Sequence, residues 1–405
     1  MHTRQFFIIG LKILILCTMF LSTSCSQKHL QITPSATENF IQTPTFVLLE
    51  KTNTPFAPVL IPTKSPTITQ FPTNSPTFTL IPTNTSTPTA SSTPTRLDDF
   101  ETKKILRNVL PQSYITNECE YLSLRWGLSK SLPGTIVVPV MYHSVRQEGK
   151  PVTDNLTVSH EYFQATMDHA KKLGFETITT QELSDFLYHN KPIPPLSMIL
   201  IIDDRRPGVI RDHFLPILEK NNWTVTLAYI SGIANEREWN EMRELNSTNR
   251  LDMQAHGFYH NGSTYFTEFT STEIITEEVF SPIKAIEENF GNRPIAFIWP
   301  GGNFTEESVS IVRSAEYQLG FTAFSRGPIM FNWIPLGDKE IAMNDPLMVL
   351  PRYWSTTAYT ALDEAVEISN QARIFAEENR LIEYNWYENY CHGFPGIQSL
   401  DGQGY

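Results

Sequence analysis

From residue 135 to about 379, short apolar and β-branched runs alternate with longer segments of helical spacing. That alternation leaves few architectures open. Strands are predicted at 135–141 (TIVVPVM), 176–179, 197–202 (SMILII), 224–230 (TVTLAYI), 251–255, 295–299, 321–324 and 348–353. Helices are predicted at 160–173, from 180 onward, and at 211–220, 236–245, 272–289 and 305–319, with a closing helix at 358–379. Repeated strand–helix units of this length build a parallel sheet with helices outside, either open or closed into a barrel. In barrels of this kind chemistry gathers where strands end and loops begin.

The first hundred residues are of a different nature. His2 and Arg4 precede an apolar run from Phe6 to Leu21, interrupted by Lys12, and Ser22, Thr23 and Ser24 lead to Cys25. This is the layout of a bacterial secretion signal, with Cys25 where a lipoprotein would be cut and lipidated. The same residues also suit an uncleaved anchor, and both readings place the remainder outside the cytoplasm. The expected organisation is therefore a signal or lipoprotein anchor at 1–25, a Thr/Pro/Ser-rich linker at 26–98 and a globular domain at 99–405. The linker carries a loose repeat, Ile61-Pro62-Thr63, Phe71-Pro72-Thr73 and Ile81-Pro82-Thr83. Proline at this density favours extended polyproline structure, which at roughly 3.1 Å per residue reaches on the order of 200 Å. A disordered tether is the plainer reading, with much the same consequence. The sequence leaves open whether 99–136 joins the barrel or packs separately.

A net charge of −12 argues against nucleic acid as a partner, because a phosphate-binding surface needs a basic excess. With Cys17 in the signal and Cys25 at its end, Cys119 and Cys391 remain, one near each end of the later domain. In an oxidising compartment they either pair and clasp the termini or stay free. His160, His169, His189 and His213 read as ordinary surface residues.

Polar groups stand at the C-terminal ends of three apolar strands. His143 follows VVPVMY, Asp203 and Asp204 follow MILII, and His256 follows LDMQA with His260 four residues later. One histidine at a strand end is usually a hydrogen-bonded structural residue; three such places together are harder to dismiss. Two imidazoles and a carboxylate form the three-ligand set of catalytic divalent metals, with a position open for water. Adjacent carboxylates point in different directions, so one of Asp203 and Asp204 can bind metal while the other accepts a proton.

On these motifs, residues 137–353 resemble the polysaccharide deacetylase family, the NodB-homology or carbohydrate esterase family four. They are most similar to its branch acting on exopolysaccharides such as poly-N-acetylglucosamine. The resemblance implies a distorted (β/α) barrel, an α/β fold. Ile201-Ile202-Asp203-Asp204-Arg205 stands where the family has Thr-Phe-Asp-Asp-Gly, implying Asp203 as general base and Asp204 as metal ligand. His256-Gly257-Phe258-Tyr259-His260 matches the family's His-x-x-x-His, implying the other two ligands. Trp299-Pro300-Gly301-Gly302 approximates the aromatic–Pro–Tyr–Gly turn, so the Gly301 N–H would help hold the oxyanion. Tyr142-His143 matches a pair whose histidine is the general acid, and Arg352 lies where the family often has an arginine near the catalytic aspartate.

Two departures stand out. Glycine after Asp-Asp is replaced by Arg205, followed by Arg206 and Pro207, so the loop must take another path. Gly301 replaces a tyrosine and removes an aromatic wall while keeping the N–H. Arg205 either contacts a charged glycan or is a solvated loop residue. Trp299, Tyr353 and Trp354 either stack on sugar rings or pack under the barrel rim. His392 is a weaker candidate than His143 for a catalytic histidine.

The resemblance thus implies a deacetylase removing N-acetyl groups from a cell-surface or extracellular polysaccharide. Its cofactor would be a divalent ion, zinc foremost, with cobalt and nickel as alternatives. Its partners would be the acetylated polysaccharide and, through the lipid or anchor, a membrane. The competing expectations are a glycan-binding surface lipoprotein that has lost turnover, and a metal hydrolase of another bond such as a peptide amide.

Overall fold

Six parallel strands form the spine of the domain. They are β1 (Ile136–Tyr142), β2 (Leu196–Asp203), β3 (Val225–Tyr229), β4 (Leu251–Ala255), β5 (Ala296–Ile298) and β6 (Leu319–Phe321), paired neighbour to neighbour in that order. Every residue of β1 is buried, as is every residue of β2 after its first, because helices cover one face and the barrel interior the other. Each large apolar side chain so buried contributes about 1.5–3 kcal/mol. The computed structural model describes residues 97–260 and 265–398. The signal segment, Cys25 and the repeat stretch of the linker therefore lie outside the described residues, which belong to one compact unit, Pro88–Tyr405.

Two short strands complete the edge beside β1. β7 (Ile329–Met330) pairs antiparallel with Ile136 and Val137, and β8 (Tyr353–Trp354) pairs parallel with Val140 and Met141. Pro139, which has no N–H to give, falls opposite the gap between these two partners. The segment 350–354 reaches both edges of the sheet. Leu350 bridges Phe321 at the end of β6, while Tyr353 and Trp354 lie on β1. The sheet is thereby curled into the expected distorted barrel, held closed by this single segment.

One helix, α1 (Glu118–Trp126), forms in the stretch the sequence left open, and the others lie close to where spacing predicted them: α2 (His160–Leu173), α3 (Thr180–His189), α4 (Leu215–Asn221), α5 (Glu236–Asn246), α6 (Thr272–Phe290), α7 (Glu306–Ser314) and α8 (Ala358–Tyr390). Side chains start most of them. Ser159 caps α2 and Ser271 caps α6, while Thr179 and Asn235 form capping boxes with Glu182 and Glu238. Three boundaries differ from expectation. The helix predicted at 305–319 stops at Ser314, and Leu319 opens β6 instead. The predicted helix at 211–220 opens instead with a π turn, Ile210–Phe214, ahead of Pro216, whose missing N–H disrupts a regular ladder. His213 is buried in that turn, its Nδ1 3.3 Å from Nδ1 of His160, and is not the surface residue expected.

The closing helix runs eleven residues past its predicted end, because Glu383, Tyr387 and Cys391 carry a buried stripe onward. That stripe meets Leu122 and Trp126 of α1, and Cys119 and Cys391 are joined by a disulfide with Cα atoms 5.3 Å apart. The region 99–136 packs on the barrel. Leu110–Gln112 pairs antiparallel with Ile334–Leu336, and the disulfide fastens α1 to the end of α8. A cavity of about 650 Å³, lined by Phe100, Tyr121, Arg125, Thr135 and Trp333, lies at this end, where the strands begin. The candidate chemistry lies at the other.

Candidate metal centre

Strand register brings the polar residues to one edge. Tyr142 pairs with Ile202, Asp203 with Ala228, Tyr229 with Ala255 and Ala255 with Phe297. His143, Asp203, His256 and the turn after β5 therefore emerge side by side at the C-terminal ends of β1, β2, β4 and β5. Asp204 follows with a positive φ of 72°, and this turn aims its carboxylate toward the histidines.

Asp204, His256 and His260 each offer one ligand atom, and the three atoms lie within 4.8 Å of one another. His256 is buried, and its Nδ1 is 2.8 Å from the Ile298 carbonyl. A carbonyl only accepts, so Nδ1 carries the proton and Nε2 presents a lone pair. That Nε2 is 3.2 Å from Nε2 of His260 and 4.0 Å from Oδ1 of Asp204. Two nitrogens bound at about 2.0–2.1 Å on a tetrahedral ion stand about 3.3 Å apart, so the imidazole pair fits a divalent ion. Both imidazoles also resist protonation. Burial lowers His256 against the opposing pull of Asp203 and Asp204, and burial with the neighbouring His256 lowers His260 to about 4. Neutral imidazoles are what a metal requires.

Asp203 lies beside this cluster, buried to 2% exposure. Burial alone would raise its carboxyl, but the guanidinium of Arg352, with His256 and His143 nearby, outweighs that and holds it at about 2. Arg352 is itself 1% exposed; Nη1 donates to Asp203 Oδ1 at 2.6 Å and Nε donates to the Thr322 carbonyl at 2.6 Å. The other carboxylate oxygen, Oδ2, faces His143 Nε2 at 3.8 Å and His256 Nε2 at 3.9 Å. Trp354, at the end of β8, lies parallel to the His143 ring with centroids 6.1 Å apart, so the segment that closes the barrel also backs this imidazole.

Other expectations require correction. Trp299 has 0% exposure and its Nε1 donates to the Met348 carbonyl, so it packs beneath the rim and presents no face to a sugar. Tyr353 is likewise buried, because alternation along β8 sends it inward and Trp354 outward. Arg205 does not stand over the site. Its guanidinium donates twice to Glu238 of α5, at 2.8 and 2.7 Å, and once to the Ile233 carbonyl. Arg206 is the cation at the site, donating to Asp204 Oδ2 at 2.8 Å. The left-handed turn sits at Asp204, one residue before the family's glycine, and sends Arg205 away. His392 is exposed beside the disulfide at the end of α8.

Gly301 sits in the short turn Pro300–Gly302 with φ 61°. The turn's own hydrogen bonds are made by the N–H groups of Gly302 and Asn303 to Trp299 and Pro300. A Cβ on Gly301 would meet the Tyr265 ring at 2.6 Å. Tyr265 packs edge-on against His260 with centroids 5.3 Å apart, so an aromatic from another loop fills the space above this glycine. Sequence reasoning missed Tyr265, and it missed Glu278 on α6. The buried Glu278 carboxylate accepts from the backbone N–H groups of Phe258, Tyr259 and His260 at 2.8–3.1 Å.

Residues 191–320 match the polysaccharide deacetylase family. Over 189 residues the chain is 23% identical to the putative polysaccharide deacetylase YxkH of Bacillus subtilis, covering 45% of this chain and 63% of that one. The chain thus spans somewhat less than two thirds of that relative. Among solved structures it is similar to the Streptococcus pyogenes deacetylase PplD in complex with acetate, with 20% identity, a TM-score of 0.47, and 59% and 99% of the two chains covered. It is also similar to IcaB from Ammonifex degensii, with 19% identity, a TM-score of 0.44, and 60% and 100% covered.

Proposed function

From a chain that carries a polysaccharide deacetylase domain over residues 191–320, we propose a metal-dependent hydrolase that removes N-acetyl groups from a cell-surface or extracellular polysaccharide. One observation carries this reading: three ligand atoms, on Asp204, His256 and His260, converge beside a carboxylate that a buried arginine keeps ionised. The donor set suits zinc, and cobalt or nickel fit the same atoms. Such an ion, when bound, acidifies a water and polarises the acetyl carbonyl.

The chain's own residues supply the rest. Asp203, ionised at any working pH, takes up the proton released as water adds to the carbonyl. His143, across from Asp203 and backed by Trp354, gives a proton to the departing amine nitrogen. The Gly301 N–H, in a turn whose own bonds are made by its neighbours, donates to the oxygen that gains charge. Amide and water become acetate and a free amine. Trp354 replaces Trp299 and Tyr353 as the aromatic offered to a sugar. The placement outside the cytoplasm, tethered through the N-terminal segment or a lipid on Cys25, rests on the sequence and is supported by the Cys119–Cys391 disulfide.

The test is acetate release from N-acetylglucosamine oligomers with added Zn²⁺ or Co²⁺. Activity that survives in both Asp203→Asn and His256→Ala overturns the assignment. One observation favours the competing reading of a glycan-binding protein without turnover: Arg206 already engages Asp204 Oδ2. Titration calorimetry showing sugar binding, with no acetate released under any of the three metals, would establish it.

A further inference from the structure

The residue that holds the metal loop in shape comes from outside every motif. The stripe by which α6 faces the barrel consists of Ile275, Glu278, Val279, Pro282, Ile283 and Ile286. Glu278, with 2% exposure, is the charged member of an otherwise apolar row. A buried carboxylate is costly unless its oxygens are hydrogen-bonded. Here Oε2 accepts from Phe258 N–H at 2.8 Å, Tyr259 N–H at 3.1 Å and His260 N–H at 3.0 Å, and Oε1 accepts from Tyr259 N–H at 3.0 Å. Three successive amides thus close on one anion, the arrangement of a backbone nest.

The loop is built for this guest. Gly257 has φ 78°, and a Cβ there would lie 2.5 Å from Glu278 Oε2. His260 adopts φ 68°, a left-handed conformation that a histidine enters at a cost. Its N–H is bound by Glu278, and its Nε2 lies 3.2 Å from that of His256. Without the carboxylate, three part-buried amides lose their acceptor, and the hydrogen bond that holds the His260 backbone in this conformation is gone.

We propose that Glu278 is the positioning residue of the metal site, an internal anion that fixes the loop from Gly257 to His260 so that the second imidazole faces the first. This rests on Asp204, His256 and His260 being the ligand set. Glu278 acts through backbone amides, touching neither the ion nor the substrate.

The test uses the full chain, stripped with chelator and titrated with Co²⁺ and Zn²⁺. Glu278→Gln keeps the shape and one accepting oxygen but turns an NH₂ toward the amides. Affinity for both ions should fall tenfold to a hundredfold, the usual range for a partner one step from the ligands. The visible absorption of the Co²⁺ form should change, and amide exchange at 258–260 should quicken in the metal-free protein. Unchanged affinity and spectrum overturn the proposal. If Glu278→Gln does not fold, Glu278→Asp, whose shorter side chain withdraws the carboxylate from the amides, is read the same way. If the wild-type chain binds neither ion, the ligand assignment has failed. Amide exchange then decides alone: protection at 258–260 lost in Glu278→Gln supports the proposal, and protection unchanged overturns it.

Discussion

Replacing Arg352 with methionine keeps most of the side chain's buried volume and removes its guanidinium. Arg352 is 1% exposed and donates to Asp203 and to the Thr322 carbonyl, so its loss strands a carboxylate of 2% exposure and a buried acceptor. Breaking a buried pair from one side costs about 3–5 kcal/mol, a large part of the roughly 5–15 kcal/mol that holds a domain together. Asp203 has one escape, which is to take up a proton. It sits at about 2 because the cation, with His256 and His143 nearby, outweighs burial, and without the cation burial pushes it upward. The penalty is therefore expected to be largest at neutral pH and smaller near pH 4, where protonation becomes easy. Asp203→Asn inverts the fault by leaving the guanidinium uncompensated. The double variant should lose less than the two single losses added together, with a coupling of about 2 kcal/mol or more, against the roughly 0.5 kcal/mol within which independent sites add. Urea unfolding of the four proteins at pH 7 measures the cycle. Additive losses, or a loss below about 1 kcal/mol in Arg352→Met, would refute the claim that this arginine keeps the proposed base ionised.

Opening the disulfide with Cys391→Ser should lower stability by about 2–4 kcal/mol, since Cys119 and Cys391 are 272 residues apart; unfolding with and without reductant reads it, and reductant should leave the variant unaffected. The metal-free protein should be fully stable above about pH 6.5 with respect to His260 and lose that stability as pH falls toward 4. Over that window the unfolded chain takes up a proton that the folded histidine, lowered to about 4, refuses; a His260→Gln variant with the same acid unfolding curve would contradict this. Gly301→Tyr should abolish acetate release, because its Cβ meets the Tyr265 ring and its φ is left-handed. Adding Tyr265→Ala should restore part of the activity, and no recovery would mean that the N–H geometry, not the ring, sets the requirement. Trp354→Ala should lower kcat by at least tenfold through disorder at His143; a change confined to KM would make it a sugar contact alone.

What the sequence made legible was whatever depends on strand ends. The parallel register forces β1, β2 and β4 to finish level, so a polar residue after each apolar run had to reach the same rim. The spacing from His256 to His260 then sufficed to close the ligand set. What stayed hidden depends on which way a side chain turns. Trp299, Tyr353 and Trp354 are equivalent aromatics in the sequence; pleating and the Met348 carbonyl decide that the first two pack inward while the third faces His143. Glu278 stayed hidden for another reason. At its position in α6 the expected residue is an apolar one, and its purpose exists only once the loop after β4 has folded over it.

The loop after β2 shows how a single dihedral redistributes function. With arginine rather than glycine at residue 205, the left-handed turn sits at Asp204, where an aspartate tolerates it better than most residues. Arg205 is thereby swung onto Glu238, which also completes the cap of α5, and Arg206 is brought against Asp204. The ligand carboxylate now divides its two oxygens, Oδ1 toward His256 and Oδ2 to a cation. A guanidinium so placed orients the ligand while drawing off part of its charge, and the two effects act on metal affinity with opposite sign. If the orienting effect dominates, Arg206→Gln binds Zn²⁺ more weakly; if the loss of charge dominates, it binds more tightly. Titration of the metal-free variant separates the two. Tighter binding accompanied by acetate release that the wild type lacks would mean that Arg206 has silenced an otherwise complete site.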